Sequence, residues 1–453
     1  MPVKHVKKKM EKVNVDEMLA KAKQPAIDAM KFHPFYGGKV EVTPKAPVRT
    51  FDDFAIWYSP GVAEPCRAIK ADINRVWDLT NRWNQIAVIS DGTRVLGLGN
   101  IGAEAGLPVM EGKAMLFKYL GGVDAFPICV GTKEKDEIIQ FAKWMQPCIG
   151  GINLEDIQSP KCYDVLDTLR KELQIPVWHD DQQGTALVTV AGFVNALKVV
   201  GKKMNEVSVA IVGAGAANSN IVKYLGVAGA DLKKFYVVDS KGILNLSRLD
   251  SVKDNSAKVF LTNQTNKEGR SGGIAEAMKG ADAVIGASAP GIIKKEWVAT
   301  MADNAIVFAC ANPVPEIWPW EAEEGGASVV ATGRSDFKNQ VNNSIGFPAV
   351  FRGALDVSSK AITDEMCIAA AFAVAKYAED KTISEDYIIP TMSETDMFIQ
   401  EAVAVGMKAM EQGVARKKIS RNELEERAAA TIRKSQATTQ LLMKNQIILP
   451  PPT

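Results

Sequence analysis

Histidine and paired cysteines are scarce in this sequence, which excludes several kinds of functional site. The three histidines, His5, His33 and His179, are too few for a histidine-rich metal site. The six cysteines include no Cys-x-x-Cys pair, and most lie in apolar segments, where a thiol acts as a small hydrophobic group. We therefore expect reduced cysteines and a cytoplasmic protein.

Net charge and long apolar runs are also missing. The 54 lysines and arginines nearly cancel the 53 aspartates and glutamates, so no overall field favours nucleic acid or an anionic membrane. No segment has enough consecutive apolar residues to cross a bilayer. The basic segment KHVKKKMEKV (4–13) lacks the apolar stretch of a signal peptide, and we predict a solvated helix there. A small anionic substrate would have to be held by local charges.

A chain of 453 residues is too long for one compact core, and its pattern changes along its length. The first part mixes helices, glycines and short strand candidates at 85–90 and 94–98. From about Gly184 strands and helices alternate, which predicts a parallel, doubly wound sheet. The predicted strands there are 207–212, 234–239, 281–287, 304–310 and 328–333.

The remaining segments are less regular. We interpret the polar stretch from Ser247 to Arg270 as a surface excursion, and the chain after Phe347 as mostly helical. The predicted fold is therefore α/β, with an α/β domain at 1–165, a Rossmann-type dinucleotide domain at 166–385 and a helical C-terminal extension at 386–453.

Two pairs of acidic residues follow short apolar runs. Glu155 and Asp156 follow one run, and Asp180 and Asp181 follow another, so both pairs can lie where strands end and a cleft opens. Four like charges in one cleft repel each other unless a cation joins them. Oxygen ligands suit Mg²⁺ or Mn²⁺ better than zinc. Either pair alone could equally consist of helix caps or solvated loop acids.

A glycine-rich turn, GAGAAN, lies between a predicted strand and a predicted helix. Gly213 permits a tight turn, and Gly215 lets backbone N–H groups approach a pyrophosphate at the helix N-terminus. Asn218 replaces the usual third glycine or alanine, which makes close packing of helix on strand less assured. Asp239 closes the next strand and can bind ribose hydroxyls. Asp239 favours NAD, but Lys241 could neutralise a 2′-phosphate, so both cofactors stay open.

Eight motifs, in order from about Phe35 to Ala378, resemble the malic enzyme family, in particular its small-subunit, bacterial-type branch. They are YSPGVAEP (58–65), LGLGNIG (96–102), PVMEGKAMLFK (108–118), INLEDI (152–157), HDDQQGTA (179–186), GAGAAN (213–218), ANPVPE (311–316) and TGRSDFKNQVNNSIGFPAVFRGALDV (332–357). The resemblance implies oxidative decarboxylation of L-malate to pyruvate and CO₂, with NAD⁺ or NADP⁺ and Mg²⁺ or Mn²⁺. It also implies that the N-terminal domain binds substrate and that the protein is a homodimer.

The resemblance also implies roles for individual residues. The catalytic residues are Tyr58 as general acid, Lys113 as general base and Asp180 beside the lysine; the metal ligands are Glu155, Asp156 and Asp181. The cofactor contacts are Gly213, Gly215, Ala216, Ala217, Asp239, Ser288 and Asn312; the substrate contacts are Asn312, Asn343 and Arg94, the last in a place where only some family members have an arginine. His179 is expected to be structural rather than a ligand.

The chemistry is consistent with these roles. A lysine takes the malate hydroxyl proton during hydride transfer only if its pKa is lowered by burial or by neighbouring cations. A metal polarises the new ketone and stabilises the enolate left by CO₂, and a tyrosine can then protonate C3. On local sequence alone, Tyr58 could be a buried aromatic residue and Lys113 a surface lysine.

Three other functions remain open. A malolactic enzyme would keep NAD bound while reducing pyruvate to lactate. A catalytically silent metabolite sensor would bind the nucleotide without turnover, although it would not need every catalytic group. A generic hydroxy-acid or amino-acid dehydrogenase would need no metal. Net formation of NAD(P)H and sensitivity to a chelator distinguish these cases.

Overall fold

The computed structural model describes residues 15–452, and side chains from residue 23 onward, so the helix predicted for residues 4–13 lies outside the described part. The described chain divides into two compact units. The smaller contains the residues before 44 together with those from 438 onward, and in it the Tyr36 hydroxyl donates a 2.7 Å hydrogen bond to the Leu449 carbonyl. The larger unit, 44–437, contains both sheets.

The strands form two sheets. They are β1 (Gln85–Ser90), β2 (Asp124–Cys129), β3 (Gly151–Leu154), β4 (Val177–His179), β5 (Val209–Val212), β6 (Phe235–Asp239), β7 (Gly242–Ile243), β8 (Ala283–Gly286), β9 (Ala305–Ala309) and β10 (Ala327–Thr332). The first sheet has the order β2-β1-β3-β4 and is parallel throughout. The second has the order β10-β9-β8-β5-β6-β7 and is parallel except for the short β7.

The described residues form eighteen α-helices. They are α1 (Val15–Tyr36), α2 (Phe54–Trp57), α3 (Ala63–Ala71), α4 (Val76–Leu79), α5 (Ala103–Gly121), α6 (Lys135–Met145), α7 (Lys161–Glu172), α8 (Thr185–Val200), α9 (Ala216–Val227), α10 (Leu249–Val252), α11 (Ser256–Gln264), α12 (Ile274–Met278), α13 (Lys295–Val298), α14 (Pro319–Glu324), α15 (Phe347–Asp356), α16 (Asp364–Asp380), α17 (Asp396–Glu411) and α18 (Arg421–Lys444).

Burial explains why the strands read as nearly continuous apolar runs. Every residue of β5, β8 and β9 is buried, as expected for parallel strands covered by helices on both faces. Helix α8 is apolar around most of its circumference because it is also a core element. Within the described residues, Asp180–Val200 has the length and composition of a membrane span, contrary to our expectation, but 72% of that window is buried inside the protein.

The predicted α/β class and doubly wound sheet are confirmed, since all five predicted strands of the second sheet are present. The strand predicted at 94–98 is wrong. That segment is a tight turn in which Leu96 has φ +48°. The surface excursion predicted from Ser247 to Arg270 is also wrong, because helices α10 and α11 lie there and Leu261 is fully buried.

The predicted domain boundaries remain predictions. Strand β4 belongs to the first sheet although it follows the predicted boundary at 165. In the predicted C-terminal extension, α17 packs against α15 and α16 and contributes Phe398 and Val405 to the same core as α8. The end of the chain is helical, as expected, and α17 forms part of the large core.

Candidate active site

The two acid pairs lie side by side because the strands before them are paired. Strands β3 and β4 are parallel neighbours, with Leu154 opposite His179. Glu155 and Asp156 follow β3, and Asp180 and Asp181 follow β4, so all four acids begin at the carboxyl edge of the same sheet. The structure confirms the predicted location at strand ends.

Three of these acids form a compact oxygen cluster. Ligand atoms of Glu155, Asp156 and Asp181 all lie within 4.8 Å of one another. The Asp156 amide donates a 2.9 Å hydrogen bond to Asp181 Oδ2, and Asn153 Nδ2 donates to Glu155 Oε2 at 2.8 Å. Asp156 has φ +55°, a conformation that costs energy for a non-glycine residue, so the fold holds this carboxylate in place against strain.

The electrostatics of the cluster fit a divalent cation. Burial, followed by the charge of Asp181, raises the pKa of Asp156 to about 8. Burial also raises the pKa of Glu155 well above its usual range, although Lys113 opposes this. Asp156 Oδ2 is buried without a hydrogen-bond partner among the described residues. Crowded, partly unpaired carboxylates of this kind are stabilised when a hard cation takes their oxygens as ligands.

His179 lies beside the cluster but is shielded from water. Its Nδ1 is 3.6 Å from Asp181 Oδ2, and neither ring nitrogen has a hydrogen-bond partner in the described part of the chain. Burial lowers the pKa of the imidazole, which favours the neutral ring. The position agrees with a residue that packs next to the oxygen cluster.

Lys113 reaches the acids from helix α5. Its Nζ donates to Asp180 Oδ2 at 2.6 Å, lies 3.1 Å from Glu155 Oε1, and sits 4.2 Å from the centre of the Phe347 ring. Its side chain is 9% exposed, so the alternative of a surface lysine is wrong. Asn343 Nδ2 donates to the same Asp180 oxygen at 2.5 Å.

Asp180 is fixed on both oxygens. Trp178 Nε1 donates to Oδ1 at 3.1 Å, while Lys113 and Asn343 donate to Oδ2. Three segments distant in sequence therefore meet at one buried carboxylate. Trp178 and Phe347 were not predicted as site residues, although Trp178 directly precedes the motif at 179–186 and Phe347 lies within the motif at 332–357.

The direction of the Lys113 pKa differs from our expectation of a lowered value. Burial would lower it, but the charges of Asp180 and Glu155 outweigh burial, and the pKa is raised. The protein's own residues therefore hold Lys113 protonated. A lowered pKa requires positive charge that compensates Glu155 and its neighbours, which a cation bound at the cluster would provide.

The turn from β4 into α8 depends on one glycine. Asp180–Gly184 form a π-helical turn, a feature often found at functional sites. A Cβ on Gly184 would lie 2.2 Å from Asp180 Oδ1 and 3.1 Å from Asn343 Cβ. A side chain at this position therefore has to displace the carboxylate that anchors Lys113.

We expect Gly184→Ala to lower kcat by about 10²-fold, because a displacement of about 1 Å in a reacting group can cost that much. Steady-state assays with the substrate that the resemblance implies, L-malate, check this. Gly273→Ala is the matched control, because its Cβ would meet its nearest neighbour at an ordinary 3.5 Å. A kcat within twofold of wild type for Gly184→Ala would show that turnover tolerates a displaced Asp180 carboxylate.

The side chains of two predicted site residues, Tyr58 and Arg94, are exposed and form no hydrogen bond with this cluster in the described part of the chain. Tyr58, at the end of α2, is 73% exposed, so the alternative of a buried aromatic residue is wrong. Among the described residues, no hydrogen bond joins the Tyr58 or Arg94 side chain to the Lys113–Asp180 pair. Arg94 is exposed, and its backbone N–H donates to the Asp156 carbonyl at 2.9 Å. Their predicted roles remain predictions.

The glycine turn lies between β5 and α9, as predicted. Gly213 has φ +106°, and a Cβ there would be 3.0 Å from Ser288 Cβ, so this position requires glycine. Nothing lies within 4 Å of a Cβ built on Gly215, which leaves the backbone before α9 open to a phosphate. Ala216 and Ala217 form the first turn of that helix.

Asn218 holds helix α9 against strand β5, although we expected an asparagine here to make that packing less assured. Its side chain is fully buried, and Nδ2 donates to the carbonyls of Val212 at 2.8 Å and Gly213 at 3.0 Å. The amide therefore ties α9 to the end of β5 by hydrogen bonds, where a glycine would do so by close contact alone.

Asp239 ends β6 beside a pocket of about 190 Å³ and is held by two cations. Arg248 Nη2 lies 2.9 Å from Oδ1, and Lys258 Nζ lies 2.8 Å from Oδ2. Burial alone would raise the pKa of Asp239, but hydrogen bonds from Lys258, the Lys241 backbone and Arg248 lower it. Arg248 and Lys258 were missed because they belong to the segment interpreted as a surface excursion; its density of basic residues was the available signal.

Glu316 joins the loops that carry Ser288 and Asn312. Its fully buried carboxylate accepts hydrogen bonds from the backbone N–H groups of Ser288 at 2.7 Å and Ala311 at 3.0 Å. Asn312 follows directly, and its Nδ2 is 3.4 Å from the Gly333 carbonyl. Glu316 closes the ANPVPE motif but was not predicted to act at the site. It positions the carboxyl ends of β8 and β9 next to the glycine turn.

The fold and the site together define an α/β, dinucleotide-dependent oxidoreductase with a buried acidic centre. Family models match at residues 37–170, for the malic enzyme N-terminal domain, and at 182–410, for the malic enzyme NAD binding domain. The chain therefore belongs to the malic enzyme family.

Individual relatives agree. A Bacillus subtilis protein described as a bifunctional malic/malolactic enzyme is 48% identical over 88% of this chain and 97% of its own length. The NAD-dependent malic enzyme of Geobacillus stearothermophilus is 48% identical over 84% of this chain and 78% of its own. The Entamoeba histolytica malic enzyme structure superposes with a TM-score of 0.94 at 44% identity, covering 98% of this chain and 93% of that one. The chain is accordingly an oxidoreductase that decarboxylates malate with a nicotinamide dinucleotide.

Proposed function

We propose that the protein converts L-malate to pyruvate and CO₂ with Mg²⁺ or Mn²⁺ held by Glu155, Asp156 and Asp181. The observation that carries this proposal is the buried oxygen cluster beside the Lys113–Asp180 pair. The cation supplies Lewis acidity toward the substrate carbonyl, and the dinucleotide accepts the hydride.

The protein's residues prepare the proton transfers. Lys113 Nζ, oriented by Asp180, is the group we assign to the C2 hydroxyl proton, and Asn343 and Asn312 are assigned to the substrate carboxylate. Asn343 donates a hydrogen bond to Asp180, and the Phe347 ring packs against the Lys113 ammonium group. The base is therefore oriented before substrate binds. Tyr58 is assigned to protonation of C3, which requires this exposed residue to be covered during turnover.

One assay tests the function. Malate, Mn²⁺ and either NAD⁺ or NADP⁺ should give net reduced cofactor and equimolar pyruvate, and a chelator should abolish both. Lactate without net reduced cofactor would indicate the malolactic reaction, which the name of the Bacillus subtilis relative makes relevant. Nucleotide binding without any product would indicate a sensor.

Cofactor choice is proposed to depend on Arg248 and Lys258. Both cations hold Asp239, so a 2′-phosphate entering the adjacent pocket would find two donors already in place. We expect Asp239→Ala to shift the kcat/KM ratio toward NADP, and Arg248→Ala or Lys258→Ala to shift it toward NAD. Each shift should be about tenfold, since a hydrogen bond to a charged group contributes about 1.5–3 kcal/mol.

Kinetics with both cofactors check this expectation. Lys241→Ala should shift the ratio in the same direction as Arg248→Ala, but less, because its contact with Asp239 is made by the backbone N–H. Lys253→Ala, an exposed lysine of the same segment, is the control and should leave the ratio unchanged. An unchanged ratio in all four site variants would place selectivity elsewhere.

A cytoplasmic homodimer is proposed as the working form. The support is a group of large apolar residues that remain exposed between 51 and 58, with Phe51 at 90% and Ile56 at 57%. The described cysteines are all free, as a reducing compartment requires. Sedimentation velocity should give a dimer that Phe51→Ser weakens; a monomer at micromolar concentration would contradict the proposal.

A further inference from the structure

A second pocket, of about 490 Å³, is lined by residues that the reaction does not use. Its walls are the segment after α15, the loop at 414–417 and residues 74–78. The first two walls are joined by backbone hydrogen bonds: Lys360 N–H donates to the Val414 carbonyl at 2.9 Å, and Arg416 N–H donates to the Val357 carbonyl at 3.1 Å. Helix α15 begins with Phe347 beside Lys113, so one helix connects this pocket to the catalytic lysine.

The pocket is strongly basic. Lys360, Arg416 and Lys417 line it, opposed by the single carboxylate of Asp78, which lies 3.0 Å from Lys417 Nζ. The formal charge of the lining is therefore +2, in a protein whose net charge is +1. Such a concentration of one sign attracts anions.

Arg416, which lines the pocket, and Arg82, which lies on the Trp77 ring beside it, have no carboxylate partner in the described chain. The guanidinium groups of Arg416 and Arg82 lie 5.0 Å and 4.4 Å from the centre of the Trp77 ring. Arg416 donates to the carbonyls of Ser358, Ser359 and Gln174, and Arg82 to those of Gln146 and Ile149. Burial and then the charge of Arg82 lower the pKa of Arg416, so two uncompensated positive charges are held close together.

Ser358 provides an independent indication of a ligand. It lines the pocket, is 2% exposed, and its Oγ is buried with no hydrogen-bond partner among the described residues. Its φ of +46° is a conformation that non-glycine residues rarely adopt, so the surrounding structure holds this residue in place against strain. An unpaired buried hydroxyl costs free energy unless a ligand supplies its partner.

We propose that this pocket binds the phosphate group of a small metabolite, or free phosphate. A tetrahedral dianion accepts several hydrogen bonds at once and matches a site with lysine ammonium groups, an arginine and a hydroxyl donor. A carboxylate carries less charge and fewer oxygens. The proposal concerns binding alone and does not depend on the residue roles assigned to the reaction.

Equilibrium dialysis with radiolabelled inorganic phosphate, at constant ionic strength and with saturating NADH and Mn²⁺, tests the proposal. Because bound NADH keeps inorganic phosphate out of the glycine turn, wild type should bind one radiolabelled phosphate per chain, at the basic pocket. The double variant Lys360→Ala, Lys417→Ala should weaken this binding at least about tenfold, because it removes two charged donors. Ser358→Ala should weaken it several-fold.

Matched controls and competitors make the result decisive. Lys418→Ala removes an exposed lysine next to Lys417 that does not line the pocket, and it should bind phosphate like wild type. Competition with glycerol phosphate distinguishes a phosphate monoester from free phosphate as the tighter ligand. No additional phosphate at millimolar concentration, equal affinity in wild type and the double variant, or tighter binding of succinate than of phosphate would each overturn the proposal. Unfolding midpoints verify that every variant is folded.

Discussion

Lys113→Ala is expected to lower kcat for malate oxidation by about 10²- to 10⁴-fold, the usual contribution of a general acid or base. The reason is that the structure places this ammonium between Asp180 and Glu155. Steady-state reduction of cofactor measures the loss. Lys118→Ala on the same helix is the control, since that lysine is half exposed and pairs with Asp124 away from the cluster.

Tyr58→Phe should fail at a different step. If Tyr58 protonates C3 after CO₂ has left, its loss should slow the exchange of pyruvate methyl protons with solvent deuterium, measured with Mn²⁺ and reduced cofactor. Because Tyr58 is exposed, the substitution should leave the free energy of unfolding nearly unchanged. A wild-type exchange rate in Tyr58→Phe would show that Tyr58 does not protonate C3. An unchanged kcat in Lys113→Ala would show that Lys113 is not the general base.

Asp181→Asn is expected to abolish metal-dependent turnover and to weaken Mn²⁺ binding by at least about 10²-fold, since even groups that only orient metal ligands contribute about 10- to 100-fold. Titration calorimetry with Mn²⁺ measures the affinity directly. Nucleotide binding should be nearly intact, because the glycine turn lies on β5 and α9, which contribute no oxygen to the cluster.

Asp167→Asn is the matched control for this variant. Asp167 is an exposed acid on α7, so its loss removes the same charge without touching the cluster. If Asp181→Asn kept wild-type activity at limiting Mn²⁺, Asp181 would not be a ligand. If nucleotide affinity fell in parallel with metal affinity, the two sites would be coupled more tightly than the separate segments indicate.

Local pattern was sufficient for most of the architecture. Apolar runs such as 207–212 and 304–310 are strands in the structure because parallel strands are buried on both faces. Gly213 was identifiable because only glycine readily adopts its positive φ. Local pattern failed in two ways. The apolar residues of 94–98 suggested a strand, but the segment is a tight turn with Leu96 at φ +48°. In the polar stretch that contains α10 and α11, apolar residues were too few to reveal the helices.

The sequence by itself determined the positions of the acid pairs, since residues that follow neighbouring parallel strands must meet at one edge. Only the tertiary structure decided their partners. Lys113 and Asn343, which are 67 and 163 residues from Asp180 in the sequence, both donate to its carboxylate. Lys258 contacts Asp239 from helix α11, which no short motif predicts. The direction of the Lys113 pKa was also beyond the sequence, because it depends on burial and on the distances to every surrounding charge, and packing alone sets these.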